Sequence, residues 1–332
     1  MRLAASPEDF VVDEEPLYPA CGEGAHTFVR IEKRLRNTEE VARALARFAG
    51  VRPAEVGYAG RKDRVAIARQ WLSVPGLDPA AALGLEGNGF RVLEAIRHPH
   101  KLRTGQLRAN RFELVVRELA PGQVAGAAAR LAALVRSGTP NRFGAQRFGR
   151  DGRNAEAARA LLEGGEPARD RREARDRREA RFLLSALQAE LFNACLAARS
   201  LRLDEVEAGE VAYLHESGAS FVVADGARES ARAARFELSA AGPIFGTRLL
   251  RASGAAGERE SDLLAAHGIP ERPRLPRGVE LRGARRPYRV RPEAAHAEPA
   301  GADAVRLRFT LPPGSYANVL VETLFAGPEG QP

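Results

Sequence analysis

The segment GYAGRKDRVAIARQW, residues 57–71, sets one carboxylate, Asp63, among Arg61, Lys62 and Arg64, with two glycines before it and Trp71 closing the stretch. Neighbouring cations keep a carboxylate ionised, as a nucleophile requires, and glycines let a backbone approach a ligand. The competing reading is a loop or capping residue in a local ion pair, which taken alone is the commoner case.

A second segment, NRFGAQRFGRDGRN at 141–154, interleaves Phe143 and Phe148 with Arg142, Arg147, Arg150 and Arg153. Aromatic faces stack nucleobases and guanidinium groups hold phosphates, so the pattern suits an extruded nucleotide. It equally suits a Gly-rich loop with two core phenylalanines and Asn154 as a helix cap. Sharper signatures are absent from the sequence: there is no GxxxxGK[ST], HExxH, GxSxG or strand-borne GxGxxG, so ATP, zinc and dinucleotides are not implied. His98-Pro99-His100 reads as a surface turn rather than a metal pair.

These residues sit in a chain of 332, long enough for two domains, with 44% hydrophobic and 28% charged residues, the composition of a folded protein. A formal charge of +8, carried almost wholly by arginine, favours a polyanionic partner. No apolar run reaches membrane-spanning length and the N-terminus turns polar too early for a signal peptide, so a cytoplasmic protein is expected. Cys21 and Cys195 form no CxxC pair and are expected as reduced thiols.

The elements that must position the segments read most clearly in the first third. FVVDEEP, with Phe10 and Val12 in phase, and HTFVRIEK, with Val29 and Ile31 in phase, have the period of half-buried strands. Asn37 to Glu40 reads as a capping box, followed by Val41, Leu45 and Phe48 at helical spacing and Gly50 as the stop. QWLSV, FRVLEAI and RFELVVREL are further strands, and residues 122–137 a helix ended by Gly138 and Pro140. The order predicts an α+β domain on a mixed, mostly antiparallel sheet.

From about 168 the texture changes. ARDRRE occurs twice in tandem, at 168–173 and 174–179, and reads as a local duplication on a solvated helix or loop. Residues 200–290 hold short strands, GPIFG, an Ala/Gly stretch near 252–260 and a helix before ERPRLPRG, and look like a second domain. The strand VRLRFTLPPGSY and the helix ANVLVETLF return to the texture of the first third, which suggests a domain inserted into the first.

GYAGRKD with Gln70-Trp71, PEDFVVDE (7–14), PNRFGAQRFGRDG (140–152), RFLLSALQAELFN (181–193), GPIFG (242–246) and FTLPPGSYANVLVETL (309–324) together resemble the TruD family of tRNA pseudouridine synthases, in family order and over nearly the whole chain. The resemblance implies a pseudouridine-synthase catalytic domain with a central cleft, formed by 1–166 and completed by 291–332, and an α/β insertion (TRUD) domain at 167–290 that grips tRNA.

It further implies isomerisation of uridine to pseudouridine in tRNA, at position 13 with glutamate tRNA as the usual substrate, and no cofactor. By the same motifs Asp63 is the essential nucleophilic aspartate, and Phe10, Asn141, Phe143 and Tyr316 line the uridine pocket. Phe143 is the ring expected to stack on the flipped base. Lys62 and Arg147 are supporting candidates to pair with Asp63. No metal, membrane or obligate protein partner is implied. Two positions depart from the family pattern: Ala68 stands where a threonine is common, and Tyr316 where a phenylalanine is. The rival reading is a non-catalytic RNA-binding or tRNA-folding protein on the same fold.

Overall fold

The computed structural model describes every residue except 4, 150, 163–171, 270–274, 276–277 and 327–332; side chains at 172–176 and 178 are likewise outside the description. The first four residues of the ARDRRE repeat, the expected boundary at 167 and most of ERPRLPRG therefore lie outside the described residues. Along the chain run β1 (Phe10–Pro16), β2 (His26–Lys33), α1 (Thr38–Phe48), β3 (Ile67–Pro75), β4 (Phe90–His98), β5 (Leu107–Arg117) and α2 (Pro121–Ser137). They are followed by α3 (Asn154–Leu162), α4 (Arg172–Ala198), β6 (Val211–Leu214), β7 (Ser220–Val222), α5 (Gly226–Ala234), β8 (Leu238–Ile244), α6 (Gly254–Ala266) and β9 (Ala284–Pro287). Last come β10 (Glu293–Gly301), β11 (Ala304–Leu311) and α7 (Ala317–Phe325).

Two compact units result. Met1–Val135 and Pro292–Ala317 form the first, Arg136–Arg291 and Asn318–Pro332 the second. The first is built on a ten-stranded sheet whose main path is β10-β11-β5-β1-β3-β2-β4, with the two-residue strands Arg2–Leu3, Gly57–Tyr58 and Glu86–Gly87 at its margins. Its pairs are antiparallel except β1 with β3, which run parallel with Val12 opposite Ala68. The sheet is thus mixed and mostly antiparallel, as the period-two segments predict.

Successive strand side chains point to opposite faces, so Phe10, Val12 and Glu14 share one face of β1. On that face Val29 and Ile31 of β2 and Leu72 and Val74 of β3 pack under Val41, Ala42, Leu45 and Ala46 of α1. The helix buries the stripe 38, 41, 42, 45 and 46, which leaves Phe48, in phase with Val41 and Leu45, half exposed at its edge. The opposite face carries arginine–carboxylate pairs, among them Arg30 with Asp13, Arg69 with Glu32 and Arg111 with Glu15.

In the second unit α4 packs on the four-stranded sheet β7-β6-β8-β9 through Phe192 and Cys195, and on α3 through Leu184, Leu187 and Leu191. Gly242 of GPIFG is required by packing, since a Cβ there would lie 2.3 Å from the Tyr288 ring. The Ala/Gly stretch expected near 252–260 is the first half of α6, with Ser253 as its cap and Ala256 buried.

Candidate active site

Of the residues expected at the site, Phe10, Lys62, Asp63 and Tyr316 belong to the first unit, and Asn141, Phe143 and Arg147 to the second. Each group is built by its own unit.

Asp63 is exposed, in the loop between the short strand Gly57–Tyr58 and β3. Side chains from the buried face of the sheet and from the start of α1 hold that loop at successive backbone groups. Gln70 Nε2 donates to the Gly60 carbonyl at 3.4 Å. Thr38 Oγ1, at the start of α1, accepts from the Lys62 amide at 3.0 Å and donates to Gln70 Oε1 at 2.9 Å. Lys33 Nζ donates to the Asp63 carbonyl. The carboxylate closes the turn, Oδ1 accepting from the Val65 amide at 3.3 Å.

Ala68, at the position where the resemblance leads one to expect threonine, is fully buried in β3 with Val12 and Lys33 as strand partners. A hydroxyl from Thr38 contacts this loop. Gly57 is needed by the fold, because a Cβ there would lie 2.2 Å from the Leu102 carbonyl oxygen. Gly60 has room for a side chain, its nearest neighbours being Lys62 Nζ at 3.8 Å and a Glu14 oxygen at 3.9 Å.

Lys62 turns inward. Its ammonium lies 2.6 Å from Glu14 Oε2, a contact of opposite charges without hydrogen-bond alignment, and donates to Asn110 Oδ1 at 2.5 Å. Glu14 Oε1 accepts from the Trp71 amide at 3.2 Å. Burial pushes the Glu14 carboxyl above its usual range, and Lys62 partly opposes the shift. Phe10 stands two strand positions along from Val12, its ring edge-on to Phe112 at 6.2 Å. Tyr316 is half-buried, just after the Pro312–Ser315 turn.

In the second unit the NRFG loop is fixed from three sides. Phe143 donates its amide to Asn193 Oδ1 at 2.8 Å and accepts at its carbonyl from Asn193 Nδ2 at 2.9 Å. Its ring meets Phe192 edge-on at 5.5 Å, and the Arg286 guanidinium lies 4.2 Å from its centroid. Arg286 also donates to Asn141 Oδ1 at 2.5 Å and to its carbonyl at 3.1 Å, and Asn141 Nδ2 donates to the Pro287 carbonyl at 3.0 Å. Asn141 is 4% exposed, and within its unit the amide ties the loop to β9. The Arg147 guanidinium lies 6.0 Å from the Phe143 centroid.

Two further expectations meet the structure here. His98 is buried rather than on a surface turn, stacked on Tyr18 at 5.3 Å and packed against Phe28 at 4.2 Å, where burial lowers its pKa. Both cysteines are free thiols; burial pushes Cys195 up to about 12. A partly open pocket in the second unit is lined by Cys195, Arg199, Glu210, Glu260 and Tyr288.

Lys33, Glu14, Thr38 and Arg286 are the residues that motif reading passed over. A signal for two of them was present: Lys33 is in phase with Val29 and Ile31, and Glu14 with Phe10 and Val12, so each is a charge on a strand's apolar face.

The architecture is that of a crystallised TruD-type protein from Methanosarcina mazei, matched with a TM-score of 0.72 over 98% of this chain and 93% of that one, at 21% identity. An α+β fold of this class, with a mixed sheet, is thus shared between the two. The chain belongs to the TruD family: the profile described as tRNA pseudouridine synthase D (TruD) matches residues 1–168 and 172–324. It is 47% identical to tRNA pseudouridine synthase D of Anaeromyxobacter sp. (strain Fw109-5), covering 98% of this chain and 93% of the relative. With the protein of that name from Geobacter metallireducens it shares 38% identity, over 96% and 93%. It is accordingly a pseudouridine synthase, an isomerase. Among the described residues no helix is long and apolar enough to cross a membrane.

Proposed function

We propose that the chain converts uridine 13 of tRNA to pseudouridine in the cytoplasm, with glutamate tRNA among its substrates and Asp63 as the nucleophile. The observation that carries this reading is an exposed carboxylate on a loop whose backbone is held at Gly60, Lys62 and Asp63 by three buried side chains, Gln70, Thr38 and Lys33. Such a loop presents a reacting group in a fixed position while leaving it open to solvent and substrate, the arrangement that orientation-based catalysis needs.

The reaction breaks the C1′–N1 bond, turns the uracil over and forms C1′–C5; the proton displaced from C5 balances the one gained at N1. Electrons are neither supplied nor removed, so the chemistry calls for no redox cofactor. Asp63 acts covalently, or nearly so, on the sugar or the base. A uridine must leave its stack to reach it, and rings compensate for the lost stacking. Phe10, Phe143 and Tyr316 are the proposed rings, and Asn141 the proposed polar wall. Lys62, expected to pair with Asp63, directs its ammonium to Glu14 and Asn110 instead, and is proposed to hold the chain next to Asp63 in place. Arg147 is proposed as a phosphate or carboxylate partner.

In domain terms, 1–166 and 291–332 are proposed as the catalytic domain and 167–290 as the insertion that grips tRNA. The test is to incubate the protein with unmodified glutamate tRNA, without added cofactor, and map pseudouridine by carbodiimide-blocked primer extension. A carbodiimide-dependent stop one nucleotide 3′ of position 13 is expected. Folded protein that yields no product overturns the proposal.

A further inference from the structure

Lys33 ends β2 on the helix-covered face, fully buried, with Ala68 and Phe90 as its strand partners. Its hydrogen bond among the described residues goes to the Asp63 carbonyl. The charged groups that face it are Asp63 and Lys62 from the loop and Glu39 and Glu40 from the first turn of α1. Burial outweighs the attraction of those carboxylates and pulls the ammonium down to about 8. A charge buried without a close ion pair opposes folding, and a methionine would fill the same space without the desolvation cost. Stability alone does not account for a lysine here.

We infer that Lys33 is a positioning residue for the isomerisation: its ammonium holds the Asp63 carbonyl and so fixes the backbone from which the Asp63 carboxylate reaches the uridine. The inference rests on reading Asp63 as the nucleophile. A hydrogen bond from a cation is stronger than one from a neutral amine, so the hold is firmest while Lys33 is protonated. Ala68, the strand partner of Lys33 on β3, carries only a methyl group.

The experiment compares wild type, Lys33→Met, Lys33→Arg and Asp63→Asn on unmodified tRNA. Lys33→Met is expected to lower kcat about 100-fold, as misplacing a reacting group does, with KM and tRNA affinity changed less than about twofold. Lys33→Arg keeps the charge and is expected to recover at least about tenfold of that loss. Wild-type kcat should fall above pH about 8 as Lys33 gives up its proton, and in Lys33→Arg that limb should move upward. Wild-type kcat in Lys33→Met overturns the inference. Should that variant fail to fold, a wild-type kcat flat from pH about 7 to 10 overturns it instead. If Asp63→Asn is inactive while Lys33→Met is fully active, the positioning role alone falls. If Asp63→Asn is fully active, the nucleophile reading falls and this one with it.

Discussion

The Lys62 ammonium lies 2.6 Å from a Glu14 carboxylate oxygen, with the two side chains 6% and 1% exposed. Removing one partner of such a pair leaves an uncompensated buried charge. Lys62→Met should therefore destabilise the fold by about 3–5 kcal/mol. The double variant Lys62→Met with Glu14→Gln should recover most of that loss, because no charge is left buried. Urea unfolding of both single variants and the double gives the coupling directly.

Thr38 holds the Lys62 amide and Gln70 together through one hydroxyl. Thr38→Val keeps the shape and deletes the hydroxyl, leaving a backbone donor and a side-chain acceptor unpaired. A loss of about 1–3 kcal/mol is expected, with a lower kcat, while Thr38→Ser stays near wild type in both. Denaturation midpoints and pseudouridine formation measured on the same samples check it.

This hydroxyl also shows what the sequence made legible and what it did not. Strand and helix periods located β1 to β5, α1 and α2, because each segment obeys one geometry over its own length. Asn37 and Glu40 were readable as a capping box, and the Asn37 amide does donate to Glu40. Thr38 between them gives no local sign of its second role, because its partners lie 24 and 32 residues onward. Asn193 and Phe143, 50 residues apart, are the same case in the second unit. Phase alone exposes Lys33 and Glu14, each in register with the apolar residues of its strand.

Asn193 satisfies both backbone groups of Phe143. Asn193→Ala should cost about 1–3 kcal/mol and loosen the ring's placement, so activity falls more than tRNA affinity does. Asn193→Asp keeps an acceptor for the Phe143 amide but faces its carbonyl without a donor, and should be no better than alanine at neutral pH. Fluorescence-monitored unfolding and steady-state kinetics separate the two effects.

The depressed pKa of Lys33 has a definite sign in stability. Between about 8 and 10.5 the unfolded lysine keeps a proton that the native one has released. Unfolding free energy therefore rises with pH across that window, by up to about 3 kcal/mol, and the burden is full below it. Lys33→Met lacks this rise and should be at least as stable as wild type at pH 7. The difference between the two proteins in urea unfolding at pH 7 and pH 10 isolates the lysine from other titrating groups.

Single-turnover pseudouridine formation with Asp63→Asn decides whether Asp63 is the nucleophile. The substitution is near-isosteric, at an exposed position, so fold and tRNA binding should match wild type while product formation is abolished. Asp63→Asn protein that forms pseudouridine at the wild-type rate would show that Asp63 is not the nucleophile.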